Sequence, residues 1–131
     1  MEAGTNTDGV KLTASEWSVL DCLWENSPQT VMRLVAELSE RVGWAKSTTI
    51  TTLRRMEEKG LVRVEQGARG KRYAPAVERD QAATAETRSF LDRVYQGSVG
   101  LMMSAMVKRQ ELSNREVAEL RAILDRIGEG N

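Results

Sequence analysis

Apolar residues near the amino terminus recur at the spacing of an amphipathic helix. The stripe consists of Trp17, Leu20, Leu23 and Trp24. This period predicts a helix that buries one face. Thr13 and Glu16 stand at capping-box spacing at its start, and the Asn-Ser-Pro turn sequence at 26–28 predicts its end near Glu25.

The second helical pattern is the most regular in the chain. Its apolar stripe consists of Val31, Leu34, Val35, Leu38 and Val42. Thr30 is a favourable N-cap for this helix, and Gly43 is a favourable residue at its end. The sequence therefore predicts a second helix between Thr30 and Gly43, followed closely by a third.

The third predicted helix is rich in threonine and arginine. Ser47 is a suitable N-cap, and Gly60 suits the position after Lys59. Its narrow apolar stripe consists of Ile50, Leu53 and Met56, and its other positions include Thr48, Thr49, Thr51, Thr52, Arg54 and Arg55. Four threonines cost about 2 kcal/mol of helix propensity relative to alanine, which a purely structural surface helix would avoid.

After Gly60 the pattern changes to that of a β-hairpin. Residues 61–65 alternate like a strand, 66–70 have turn composition, and 71–74 form a second short strand before Pro75. Two short alternating runs around a Gly-containing turn are typical of a hairpin. This hairpin is expected to have a basic tip.

The remainder of the chain is predicted to be helical. A long helix covers 78–95, Gly97 interrupts it, and Ser98 caps a short apolar helix. Ser113 and Glu116 form a second capping box, which opens a last helix that is expected to stop at Gly128. Residues 1–11 are expected to be a flexible arm, residues 12–76 a first domain and residues 77–131 a helical second domain.

Composition argues against several classes of function. Histidine is absent and Cys22 is the single cysteine, which removes Ser-His and Cys-His nucleophile pairs and thiolate metal clusters. No run of eighteen apolar residues and no apolar amino-terminal signal core are present. We therefore expect a cytoplasmic protein that is not an enzyme and needs no metal or cofactor, with Cys22 a semi-buried filler.

Charge is distributed unevenly along the chain, although the formal net charge is zero. Residues 1–40 carry two basic and seven acidic side chains, and residues 73–131 carry eight and nine. Residues 41–72 carry nine basic and three acidic side chains, a net charge of +6. The excess of positive charge thus coincides with the third helix and the hairpin.

Three helices followed by a basic hairpin are the order of a winged helix-turn-helix. We expect a mostly α fold with a small β-hairpin wing, consisting of an N-terminal winged helix-turn-helix and a C-terminal helical dimerisation region. The third helix would lie in the major groove of DNA, where threonine and arginine can contact base edges. The candidate DNA contacts are Ser47, Thr48, Thr51 and Arg55 on the helix and Arg69, Lys71 and Arg72 on the wing.

Each of these features also has a simpler interpretation. A Thr/Arg helix or a basic run can be an ordinary solvated face, and a winged helix can serve as a protein–protein adaptor without binding DNA. The combination favours DNA binding. Trp17 and Trp24 lie on the apolar face of the first helix and are expected in the core, and Trp44 is expected to pack beneath the third helix rather than touch a phosphate.

The C-terminal region is too apolar to be left in water as a monomer, because three short helices cannot bury its apolar residues alone. Burial against an identical chain is the economical solution and matches a two-fold symmetric operator. A membrane-surface role is the alternative, but the short helix lacks a basic polar face. The candidate dimer contacts are Phe90, Leu91, Val94, Val99, Met102, Met106, Leu120 and Leu124.

The chain resembles the BlaI/MecI/CopY family of bacterial repressors over about residues 12–127. The similar stretches are Leu12-Thr13-x-Ser15-Glu16-Trp17-x-Val19-Leu20, Leu23-Trp24-Glu25, Val35-x-Glu37-Leu38, Trp44-x-x-Ser47-Thr48-x-x-Thr51, Lys59-Gly60-Leu61-Val62, Gly70-Lys71-Arg72-Tyr73-x-Pro75, Ser89-Phe90-Leu91-x-Arg93-x-Tyr95-x-Gly97-Ser98, Leu112-Ser113 and Glu119-Leu120-x-x-Ile123-Leu124. The resemblance implies a homodimer with domain-swapped or intertwined C-terminal helices that represses by occluding a promoter. Contacts with DNA carry over to Ser47, Thr48, Thr51, Arg55, Lys71 and Arg72.

The chain departs from two branches of that family. It lacks the C-terminal cysteine cluster of the copper-sensing branch, so copper sensing is not expected. The penicillinase branch is inactivated at an Asn-Phe bond by a membrane-bound metalloprotease that senses β-lactam, and the equivalent pair here is Ala105-Met106. The resemblance therefore implies a candidate cleavage site and a candidate sensor protease, while the inducing signal and the regulated genes stay open.

Overall fold

The computed structural model describes residues 11–130, in which six helices and three strands are found. They are α1 (Ala14–Glu25), β1 (Gln29–Thr30), α2 (Val31–Val42), α3 (Lys46–Lys59), β2 (Val62–Gly67), β3 (Gly70–Pro75), α4 (Arg79–Tyr95), α5 (Val99–Lys108) and α6 (Asn114–Gly130). The mostly α architecture with a β wing is thus confirmed. The predicted arm at 1–11 lies outside the described residues except for its last position. Among the described helices, none has the length and apolar character needed to cross a membrane.

The predicted helix ends are confirmed at α1 and α2. Thr13 accepts a hydrogen bond from the amide of Glu16 at 3.2 Å, and the Glu16 carboxylate accepts one from the amide of Thr13 at 2.9 Å. Thr30 caps α2 by accepting from the amide of Arg33. Gly43 ends α2 with φ +73°, a left-handed conformation that glycine adopts without steric cost.

The predicted start of α3 is wrong by two residues. Ala45 is the N-cap and makes no side-chain cap, so Ser47 lies inside the first turn. Helical hydrogen bonding begins before Ser47, since the amides of Thr48 and Thr49 donate to Ala45 O at 3.1 and 3.3 Å. The first amides of α3 therefore have no side-chain cap.

The wing is a longer hairpin than predicted, and a third strand joins it. The strands pair antiparallel in the order β1-β3-β2. Gly67 pairs with Gly70, so only Ala68 and Arg69 form the turn instead of the five residues expected. Strand β1 pairs Gln29 with Tyr73; two residues carry no alternating pattern, which is why the sequence did not reveal this strand.

The core lies between α1, α2, α3 and the sheet. Its buried apolar residues are Val19, Leu20, Cys22, Leu23, Leu34, Leu38, Leu53, Met56, Leu61, Val62 and Tyr73. Trp24 and Trp44 pack against this cluster while remaining partly exposed, so packing of Trp44 is confirmed. Trp17 is half-buried and lies outside the cluster, so its expected place in the core is wrong. Cys22 is fully buried rather than semi-buried.

Two ion-pair groups tie the three helices together. Arg41 at the end of α2 pairs with Glu25 at the end of α1 and with Glu37 at 2.8 Å. Lys59 in the last turn of α3 pairs with Glu16 in α1 at 2.5 Å, and the Glu16 side chain is only 6% exposed. Both ends of α1 are therefore joined to a neighbouring helix.

Internal contacts divide the chain at Thr87 and Arg88, within α4. In the second unit Ser98 caps α5, and Ser113 and Glu116 form the predicted capping box. Helix α6 continues to Gly130, so the expected stop at Gly128 is wrong; one glycine costs about 1 kcal/mol in a helix and does not by itself end it. Helix α5 has no buried residue.

Candidate nucleic-acid interface

Helix α3 has one face in the core and one face towards solvent. Thr49, Leu53 and Met56 are buried on the inner side. On the outer side Ser47, Thr48 and Arg55 are exposed and Thr51 is half-buried. The four side chains predicted to contact bases thus lie away from the core, whereas Thr49 does not share their face.

The four predicted helix residues surround one shallow depression of about 310 Å³. Its lining consists of Ser15, Ser47, Thr48, Thr51, Thr52 and Arg55. Positions i, i+1, i+4 and i+8 come together because residues three or four apart are neighbours on a helix surface. Hydroxyl donors and acceptors lie at one end of this surface and a guanidinium at the other.

Two residues of the depression were not predicted from the sequence. Thr52 lies one helical turn from Thr48 and from Arg55, so helical periodicity alone could have included it. Ser15 comes from the first turn of α1, and only the packing of α1 beside α3 brings it to this surface. No local pattern in the sequence signals that position.

The amino-terminal end of α3 is favourable for an anion. Its first turn begins with Lys46 and contains no acidic residue, and its N-cap Ala45 supplies no side-chain acceptor. Unsatisfied amides and the positive end of the helix dipole attract negative groups such as phosphate. A phosphate near this end would meet both the amides and the Lys46 ammonium.

The three predicted wing cations are all exposed and occupy different positions of the hairpin. Arg69 lies in the turn, while Lys71 and Arg72 are consecutive residues of β3. Successive side chains of a strand point to opposite faces, so Lys71 and Arg72 extend from opposite faces of the wing. They can therefore contact different phosphates but not share one.

The backbone of Gly67 lies close to the Arg72 side chain near the tip of the wing. A Cβ atom at position 67 would lie 3.1 Å from Arg72 Nε and 3.2 Å from Gly70 O. A side chain there would have to displace either the backbone or the Arg72 guanidinium. Because Gly67 has no side chain, the Arg72 side chain can lie beside it.

The candidate dimer contacts of the second unit differ in exposure. Four of them are exposed, namely Phe90, Val94, Val99 and Leu124, while Met102, Met106 and Leu120 are half-buried. Leu91 is only 9% exposed in the single chain, so it has little surface left to offer a partner. Ala105 and Met106 are half-buried positions inside α5.

No group of three or more metal-binding side chains that could hold an ion occurs within residues 11–130. The candidate interface offers hydroxyls, guanidinium and ammonium groups and backbone amides. These groups suit the recognition of phosphates and base edges.

Comparison with known proteins identifies relatives along most of the chain. The penicillinase repressor family model matches residues 12–126. The methicillin resistance regulatory protein MecI of Staphylococcus aureus strain N315 is 23% identical over 116 residues, covering 88% of this chain and 94% of MecI. The penicillinase repressor of Bacillus licheniformis is 27% identical over 115 residues, covering 88% and 90%.

Solved structures share the fold of the first unit. The monomeric form of BlaI from Bacillus licheniformis, solved in complex with the blaP half-operator, aligns with a TM-score of 0.50 and 24% identity over 55% of this chain and 88% of that chain. The DNA-binding domain of the repressor BlaI aligns with a TM-score of 0.50 over 54% and 87%. The winged-helix fold is thereby confirmed.

Proposed function

Because the chain belongs to the penicillinase repressor family, we propose that it is a sequence-specific DNA-binding repressor that acts as a homodimer on a two-fold symmetric operator. The observation that carries this proposal is the outer face of α3, where Ser47, Thr48, Thr51 and Arg55 surround one depression. BlaI, which shares the fold, was solved with a half-operator.

The proposed docking inserts α3 into the major groove. Ser47, Thr48 and Thr51 offer hydroxyls and methyl groups to base edges, and Arg55 contacts a guanine or a phosphate. The wing cations Arg69, Lys71 and Arg72 bind phosphates or enter the minor groove, which supplies affinity without sequence preference. The uncapped amides at the start of α3 donate hydrogen bonds to a further phosphate.

Dimerisation is proposed to use the second unit. Apolar side chains of α5 and α6 remain exposed there, including Leu101 at 52%, Val107 at 58% and Ile127 at 56%. Helices with such faces are stable in water when another surface covers them. A second copy of the chain matches the two-fold symmetry of an operator with two half-sites.

The proposed site of action is the cytoplasm. Relief of repression is proposed to involve α5. Proteolysis at Ala105-Met106 by a membrane-bound sensor metalloprotease would require the helix to unwind, since proteases act on extended segments. Within one chain α5 has no buried residue, which lowers the cost of such local unfolding in a chain that is not dimerised. Other signals acting on the dimer are equally compatible with this arrangement.

The test of the proposed function is selection of duplexes from random-sequence DNA, followed by binding measurements over a range of salt. We expect a two-fold symmetric sequence, and a loss of affinity of about 10³-fold or more between 50 and 200 mM salt. A scrambled duplex of equal length is the control. Tight binding to a protein partner without DNA affinity at low salt would favour the adaptor function instead.

A further inference from the structure

The segment that joins the wing to α4 is fixed by hydrogen bonds to three different parts of the winged helix. Arg63 of β2 donates to Pro75 O at 3.0 Å, and Ala76 donates its amide to Leu61 O at 2.9 Å. Trp24 donates its indole Nε1 to Val77 O at 2.9 Å. Three consecutive residues each have a partner, so this segment differs from a flexible tether.

Trp24 is the centre of this arrangement. Its ring packs edge-to-face on Trp17, with 5.6 Å between ring centroids, and both Trp24 and Val77 pack against the core. The Arg79 guanidinium lies 5.8 Å from the centroid of the Trp24 ring, within the range of a cation–π interaction. We call the contacts among Trp24, Val77 and Arg79 the linker clasp.

The beginning of α4 continues the same attachment. Glu78 O accepts the amide of Ala82 at 3.0 Å, so helical hydrogen bonding begins directly after the linker clasp. Ala82 and Ala85 are 2% and 6% exposed, and their spacing of three places them on one face of the helix. The first turns of α4 are therefore anchored at the linker clasp and along a buried face.

We propose that Trp24 is a positioning residue, which fixes the direction in which the chain leaves the winged helix and thereby the spacing of the two recognition helices in the dimer. This inference rests on the proposed function, because it concerns a dimer bound at two half-sites. A rigid exit raises the effective concentration of the second α3 at its half-site. A loosened exit lowers it without altering any contact between α3 and DNA.

The experiment compares Trp24→Phe with the matched control Trp17→Phe. Both variants remove one indole from the same aromatic pair, but only the first removes the donor to Val77 O. The probes are the two-half-site duplex selected by the native chain, a duplex with one half-site, and duplexes whose half-sites are moved apart by one and two base pairs. Thermal unfolding of each variant reports folding separately.

For Trp24→Phe we expect affinity for the complete operator to fall about tenfold or more, with single half-site affinity unchanged. Its discrimination against the duplexes with altered spacing should shrink. Trp17→Phe should keep the native ratio of complete-operator affinity to single half-site affinity. If Trp24→Phe does not fold, Arg79→Gln is used instead, because it removes the cation of the linker clasp. It should also lower the affinity for the complete operator relative to that for the single half-site.

Failure of the positioning role and failure of the proposed function give different results. Equal changes at the complete operator and at the single half-site, or no change in spacing preference, overturn the positioning role of Trp24. A native chain that enriches no DNA sequence overturns the proposed function, and the inference with it.

Discussion

At the scale of single residues, Thr51 and Lys71 represent the two parts of the proposed interface. Thr51 is half-buried beside the depression on α3, where the proposed docking would bring its hydroxyl and methyl to a base pair. Lys71 is exposed on the wing, where an ammonium can meet a phosphate. In the proposed docking, the first contact would discriminate between sequences and the second would not.

We therefore expect Thr51→Ala and Lys71→Ala to weaken binding in different ways. Thr51→Ala should reduce the preference for the selected operator over single-base variants by about 1 kcal/mol or more at one position. Lys71→Ala should weaken binding to all duplexes alike. It should also reduce the slope of log affinity against log salt concentration by about 1 per protomer. Competition binding at several salt concentrations measures both quantities, and a loss of discrimination in Lys71→Ala would contradict this division.

Cys22 gives the fold a dependence on alkaline pH. Burial, and next the charge of Glu37, raise the pKa of the Cys22 thiol from 9.0 to about 11. The unfolded chain releases this proton above its ordinary pKa, whereas the folded chain retains it. The stabilisation is thus complete below pH 9 and is lost as the pH rises to 11.

Between these pH values we expect the free energy of unfolding to fall by about 1.4 kcal/mol per pH unit through this thiol. Denaturant titrations from pH 8 to about 11 measure the slope, and Cys22→Ala is the control that removes the thiol. Other groups that titrate in this range, Tyr73 among them, contribute equally to both proteins. Parallel slopes in the two proteins would show that Cys22 is not the cause.

At the scale of the elements, the sequence predicted what is determined locally. Capping residues such as Thr13 and Thr30 can be predicted because their side chains accept hydrogen bonds from amides only three residues later. Strand β1 was missed because its pairing with β3 depends on residues more than forty positions away. Ser15 was missed for the same reason, since its place beside α3 results from tertiary packing.

Helix α3 also shows where a pattern misleads. Thr49 is of the same residue type as the proposed DNA contacts Thr48 and Thr51. It is nevertheless fully buried, and its Oγ1 has no hydrogen-bond partner among the described residues. The core side of α3 therefore includes a polar atom that polarity alone would assign to the outer face. A buried hydroxyl without a partner costs about 1–3 kcal/mol.

Replacing that hydroxyl by a methyl group should stabilise the protein. We expect Thr49→Val to increase the free energy of unfolding by about 1 kcal/mol, with DNA affinity unchanged because position 49 faces the core. Thr48→Val on the exposed face is the matched control and should change stability by less than about 0.5 kcal/mol. Chemical denaturation measures both variants, and a destabilised Thr49→Val would mean that the hydroxyl has a partner.

At the scale of the whole molecule, the exposed apolar faces of α5 and α6 are the basis of the proposed dimer. Leu124 is 63% exposed on α6, so a charge there would meet water in a monomer and an apolar partner in a dimer. We expect Leu124→Glu to sediment as a monomer at concentrations where the native chain is dimeric, because an unpaired buried charge is costly.

The matched control is Asp125→Asn, a charge change at the neighbouring exposed position of α6. It should leave the sedimentation coefficient unchanged. Loss of helix in Leu124→Glu by circular dichroism would instead indicate a folding role within one chain. A native chain that remains monomeric throughout would contradict the dimer.

The uncovered faces of α5 also have a consequence for gene dosage. If two chains must meet to cover them, dimer abundance at low expression rises with the square of chain abundance by mass action. A modest fall in synthesis, or removal of a fraction of the chains, would then empty the operator more than proportionally. In the proposed dimer, a helix that its own chain leaves uncovered would in this way set the threshold of a genetic switch.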